Sequence, residues 1–173
     1  PQQPVDPATL SAWRLLRRAT WGPRPGDVER VRQIGTAAFL NEQFAAPMSE
    51  YPDPLFDSSI EVTQEHFMRL GLIGADQLRQ RVAWALHKIW VVSAVEVPRA
   101  DAIVVYQRIL MNRAFGNYRQ LMSDMTYNPA MGTYLNMLNN RSQQITGAEP
   151  NENYARELLQ LFTTGIPTLS PGG

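Results

Sequence analysis

The densest chemistry in the chain lies in PNENYARELLQLFTTG, Pro150 to Gly165. Asn151, Glu152, Asn153, Arg156 and Glu157 fall there within seven positions. On a helix Glu152 and Arg156 stand one turn apart, as do Asn153 and Glu157. Acids at such spacing can act as general acid and base, or supply oxygen ligands to calcium or magnesium. Glu152, Asn153 and Glu157 are therefore the candidate catalytic residues. The competing reading is a structural polar network of Asn151, Glu152, Asn153, Arg156 and Glu157. In it Glu152 complements the positive end of the helix dipole and Arg156 pairs with Glu152. The network is preferred, because ion-pair networks often imitate active sites. A deep pocket lined by these side chains favours an enzyme; their burial against other helices favours structure.

The rest of the chemistry is sparse. The two histidines, His66 and His87, are 21 residues apart and form no His-x-x-x-His pair. On a helical wheel His87 projects between Trp90 and Val91, as a core histidine with a satisfied ring would. Lys88 beside it repels cations, so no metal is expected there, and no cofactor anywhere. No glycine-rich phosphate loop follows a strand, and Ser93 and Ser123 lack partners in a Ser-His-acid order. Met122, Met125, Met131 and Met137 read as flexible core filler. Trp13, Trp84 and Trp90 fall on apolar helical positions. Trp21 alone, in a TWGPRPG turn, is placed to be exposed.

The 173 residues include no cysteine, which removes disulfides, thiolate metal sites and cysteine nucleophiles. Net charge is zero, so no global field favours nucleic acid, and no nucleic-acid partner is expected. The charges are nonetheless segregated. Residues 33–68 hold six acids and no lysine or arginine, whereas residues 69–119 hold eight lysines and arginines and three acids. No apolar run reaches the roughly 18 residues that span a bilayer. The chain begins at Pro1 without a charged segment and apolar core of the export type, so any targeting peptide is removed or left out.

The elements that must position these groups are helical. Asp6-Pro7, Asn117 and Asn128-Pro129 are start signals, and Gly116 is a stop; Gln120 stands at a capping-box position. Short helices are expected over PGDVERVRQIG and TAAFLNEQFAAP. The longest should run over 76–93, with Leu78, Val82, Ala85, Leu86, Ile89 and Val92 on one face. Trp84, Trp90 and Val91 leave only a stripe of Gln77, Arg81 and Lys88 for water, which makes that helix central. Residues 47–59 and 139–149 read as loops. The last helix should start between Glu149 and Asn151, with Tyr154, Ala155, Leu158, Leu161 and Phe162 entering the core. The expected fold is all-α, an irregular bundle of about eight helices in a single domain.

The motifs AWRLLRRATWGPRPGDVERV, QLRQRVAWALHKIWVVS, RAFGNYRQLMSDMTYNPAMGTYLNML and PNENYARELLQLFTTGI resemble a bacterial family known as domain of unknown function 1800. The resemblance covers most of the chain. It implies an exported, periplasmic or extracellular protein, of which this chain is the amino-terminal part. It further implies association with a second exported family of sulfatase-like fold. Where many members read Trp-His-Asn-His, this chain has Leu86-His87-Lys88-Ile89, so a paired-histidine metal site would lack its second half.

Two functions follow as expectations. The first is an interaction or assembly module of an envelope or extracellular complex. Its partner is a protein, either of the sulfatase-like kind or the remaining carboxy-terminal part. The second is a metal-assisted or acid-base hydrolase of an extracellular polymer, with its site around PNENYAREL.

Overall fold

The computed structural model describes residues 6–51, 53 and 59–165. Among the described residues there are ten helices and no strand. In order these are α1 (Pro7–Ala19), α2 (Asp27–Ile34), α3 (Thr36–Ala45), α4 (Ile60–Ile73), α5 (Gln77–Ile89), α6 (Ala100–Arg113), α7 (Tyr118–Thr126), α8 (Pro129–Tyr134), α9 (Gln143–Thr146) and α10 (Asn153–Gln160). The all-α expectation holds, with two helices more than the eight expected.

One addition is α9, a single turn within the expected 139–149 loop. The other is α4, whose pattern is hidden by its composition. Its inward positions include Thr63, Phe67, Leu70 and Gly71, two of them not apolar, while Val62, Met68, Leu72 and Ile73 face solvent. Gly71 is needed there: a Cβ would come within 3.0 Å of the Trp21 ring. Of the expected 47–59 loop, residues 47–51, 53 and 59 are non-helical and the others lie outside the described residues.

The start signals work as their chemistry requires. Asp6 Oδ2 accepts from Thr9 N–H at 3.1 Å, Asn117 Oδ1 from Arg119 N–H at 2.9 Å, and Asn128 Oδ1 from Met131 N–H at 3.0 Å. Gln120 completes no capping box; its Oε1 accepts from Arg113 Nη1 at 3.0 Å instead.

Two cores result. Ala12, Leu16 and Ala19 of α1 meet Val31 of α2 and Phe39 of α3. The larger core gathers on α6, where Ile103, Tyr106, Leu110 and Met111 are buried with Leu121, Met125, Met131, Tyr154 and Phe162. Met122 and Met137 pack against it half-buried, as core filler should. Helix α5 joins the cores, touching α1 and α3 on one side and α4 and α6 on the other.

Its central position has a different cause from the one its apolar pattern suggests. The helix stops at Ile89 rather than Ser93, Ala85 and Ile89 are exposed, and its buried positions are Gln77, Gln80 and Ala83. Gln77 goes inward because both ends of its amide are satisfied. Nε2 donates to the carbonyls of Gly71 and Gly74, each at 2.9 Å, and Oε1 accepts from Trp21 N–H at 3.3 Å. Asp76, fully buried, accepts from Ser49 N–H at 2.9 Å and Ser49 Oγ at 2.6 Å. Polar groups therefore lock α5 to the turns before it. The most deeply buried helix is α6.

Candidate functional site

Helix α10 starts later than expected, at Asn153, because the preceding residues bond elsewhere. Asn151 is pinned to Asn140: its N–H donates to Asn140 Oδ1 at 2.9 Å, and Asn140 Nδ2 donates to its carbonyl at 2.6 Å. Asn151 Oδ1 then accepts from Asn153 N–H at 2.9 Å. Pro150 lies outside the helix. Glu152 is the N-cap residue, without a side-chain capping bond.

The polar side chains form a different network from the one the spacing suggests. Arg156 Nη2 donates to Asn153 Oδ1 at 2.5 Å and lies 3.4 Å from Glu157 Oε1. Glu152 is exposed and takes no part in the Arg156 contacts. Turning Arg156 toward Asn153 and Glu157 leaves the N-cap acid Glu152 to water.

The apolar face holds the helix in place. Tyr154 is buried, and its hydroxyl lies 2.8 Å from Thr126 Oγ1. Thr126 donates its own proton to the Met122 carbonyl at 2.8 Å, so Tyr154 is the donor to Thr126. Phe162 stacks on Trp90, and its carbonyl accepts from the Tyr118 hydroxyl at 2.7 Å. Leu158 is half-buried. Ala155 and Leu161, both expected inside, are exposed; the chain leaves the helix after Gln160 and carries Phe162, not Leu161, inward.

Asn153 and Glu157 line a cleft of about 550 Å³ with Glu96, Tyr134, Asn136 and Phe162. Ile89, Val91 and Leu161 also form its walls, and each is more than two-fifths exposed. Glu96 comes from the turn after α5, where its N–H donates to Ser93 Oγ at 3.3 Å. No sequence motif marks it, since only the folded chain brings that turn to α10. Asn136 adopts a left-handed conformation, φ 58°, at the end of α8. The cleft therefore gathers two carboxylates, two amides and a tyrosine within aliphatic walls. The Arg156 guanidinium already partners one of those acids.

The histidines lie apart from this cleft. His66 Nε2 is 3.2 Å from the Glu50 carbonyl, and its ring tilts against Tyr51. His87 Nδ1 is 2.8 Å from the Tyr106 hydroxyl, as a satisfied, half-buried histidine should be. Burial, with a smaller push from Lys88, holds the His87 imidazole below its usual pKa. Burial also raises the Tyr106 phenol well above the usual tyrosine range. Trp21 is half-buried rather than exposed, edge-on to Phe67 and Trp84. Trp13 is instead the exposed one, with Arg17 over its ring.

Among the described residues no group of three or more His, Asp or Glu side chains is placed to hold a metal ion. No helix among them is long and apolar enough to cross a membrane. No curated protein and no solved structure matches the chain. The family model described as "Protein of unknown function (DUF1800)" matches residues 14–169, and the chain belongs to that family.

Proposed function

We propose that this helical domain is an interaction module that docks a protein partner at the α10 cleft. The observation that carries this reading is the rim. Ile89, Val91 and Leu161 wall the cleft while remaining exposed, and Val95, next to Glu96, is 86% exposed. Aliphatic side chains grouped around a concavity, with acids at its edge, resemble an interface core inside a polar rim. The partner is the class the family resemblance implies, an exported protein of sulfatase-like fold or a further part of the same polypeptide. The setting is periplasmic or extracellular.

The cleft itself favours a second reading. Asn153 and Glu157 line a concavity instead of being sealed between helices, and Glu96 joins them. Such an arrangement is open to a substrate, and the two acids are the residues a hydrolase would use. Against this, Arg156 partners Glu157, and Glu152 lies outside the cleft lining.

The test is co-expression of the full polypeptide with the sulfatase-like exported protein of the same host, followed by affinity capture. The wild type should retain the partner, and Val91→Asp with Leu161→Asp should release it at unchanged helical content. Retention by the double variant would remove the docking reading.

A further inference from the structure

A second concavity, separate from the α10 cleft, lies between α4, α6 and the segment after α5. It measures about 390 Å³, and its walls are mainly Ile60, Phe67, Met68, Val92 and Ile103, with His87 on the α5 side. The volume is in the range of small-molecule sites, roughly 300–1,000 Å³. Gln64 and Gln107 add neutral amides, and among the described residues no acid, lysine or arginine lines it.

The hydrogen bonds around Tyr106 fix what His87 offers to this space. The Tyr106 hydroxyl has one proton, and it donates that proton to the Trp90 carbonyl. Trp90 caps the carboxy end of α5, so its carbonyl is one of the groups a helix leaves without an internal partner. With its proton committed, the Tyr106 oxygen accepts from His87 Nδ1 at 2.8 Å. Nδ1 therefore carries the imidazole proton and Nε2 carries a lone pair. The titratable groups near the ring are Tyr106 from α6 and Lys88 on its own helix; α4 presents Phe67, which carries no charge.

We propose that this pocket binds a small neutral amphiphile, an apolar and preferably aromatic body with one hydroxyl or N–H that donates to His87 Nε2. The apolar walls take the body, and the fixed lone pair selects a donor. A cation finds no carboxylate among the described lining residues. An anion would need a protonated imidazole, which burial disfavours.

The full chain is titrated at pH 7.5 with 4-propylphenol, with 4-propylanisole, which lacks the donor, and with 4-propylbenzoate. Affinities are measured by titration calorimetry for every variant, and in the wild type binding is also followed by the imidazole NMR signals of His87. The phenol should saturate, shift the Nε2 signal, and bind about tenfold more tightly than the ether, the worth of one hydrogen bond. The benzoate should bind more weakly than the phenol. His87→Phe should reduce the phenol to the affinity of the ether. Met68→Trp, on the half-exposed α4 wall, should block all three, and Ala94→Phe is a second blocker should the first fail to fold. Equal binding of phenol and ether, tightest binding of the benzoate, absence of saturation, or persistence in a folded blocked variant would each overturn the proposal.

Discussion

Trp90 and Phe162 stack face to face, with ring centroids 4.1 Å apart and planes 24° from parallel. The contact ties the end of α10 to the end of α5, and both side chains are shielded from water, at 0% and 4% exposure. Phe162→Ala should therefore cost about 3–5 kcal/mol in chemical denaturation. Leu161→Ala, one residue earlier and 61% exposed, should stay within about 0.5 kcal/mol. Equal losses for the two would mean that α10 is anchored by something other than the stack.

Arg156→Ala should be mild. The Arg156 side chain is 49% exposed, and its partners are Asn153 and Glu157 at the cleft edge. Glu157 keeps only 16% of its side chain exposed, but the guanidinium stays open to water, which puts the pair near the value of solvent-screened pairs, about 0–1 kcal/mol. A buried Glu152–Arg156 pair would instead predict about 3–5 kcal/mol on removal of one partner. A loss in the upper range, measured by urea titration, would restore the buried network.

His87 gives the fold an acid sensitivity of definite sign. Its folded pKa is lowered from 6.5, chiefly by burial and then by Lys88, so the folded state binds fewer protons than the unfolded state. Its contribution is present above the unfolded value and is lost as pH falls from about 6.5 through the folded value. Asp6 and Asp101 also have lowered values, but their losses begin near 3.8, in a separate window. Melting curves should show wild-type stability declining below pH 6.5, and His87→Gln should flatten that decline. Identical slopes would separate the acid response from this imidazole. Tyr106→Phe, which leaves the Trp90 carbonyl and His87 Nδ1 without a buried partner, should cost about 1–3 kcal/mol at neutral pH.

Much of the fold was legible because its signals are local. Asp6, Asn117 and Asn128 cap the helices they precede, and a cap needs only the next three residues to act. The helix α4 was not legible, because Thr63 and Gly71 occupy inward positions that an apolar pattern would fill. Gly71 is set by the approach of the Trp21 ring, from a turn far away in sequence. The helical pattern places Gln77 in water for the same reason, since its partners Trp21, Gly71 and Gly74 meet it only in three dimensions. The site divides in the same way. PNENYAREL marks where polar side chains gather, yet spacing alone paired Arg156 with Glu152. The fold pairs it with Asn153 and Glu157, and adds Glu96 from a turn that carries no motif.

The α10 cleft supplies the prediction that separates docking from catalysis. Its aliphatic rim and its carboxylates are different residues, so each can be removed while the other stays. Val91→Ser and Leu161→Ser alter cleft-lining side chains that are 45% and 61% exposed, and should leave stability within about 0.5 kcal/mol. If the cleft docks a protein, these changes weaken capture of the partner. Glu96→Gln and Glu157→Gln then matter less, because they preserve shape and remove only charge. If the cleft is a hydrolytic site, the order reverses. The two glutamine variants abolish turnover of an extracellular polymer by removing the acid and base, whereas the serine variants retain most of it. Capture assays and polymer hydrolysis on the same four variants give opposite orders under the two readings. Loss of capture with the rim variants and retention with the glutamine variants is the outcome expected here.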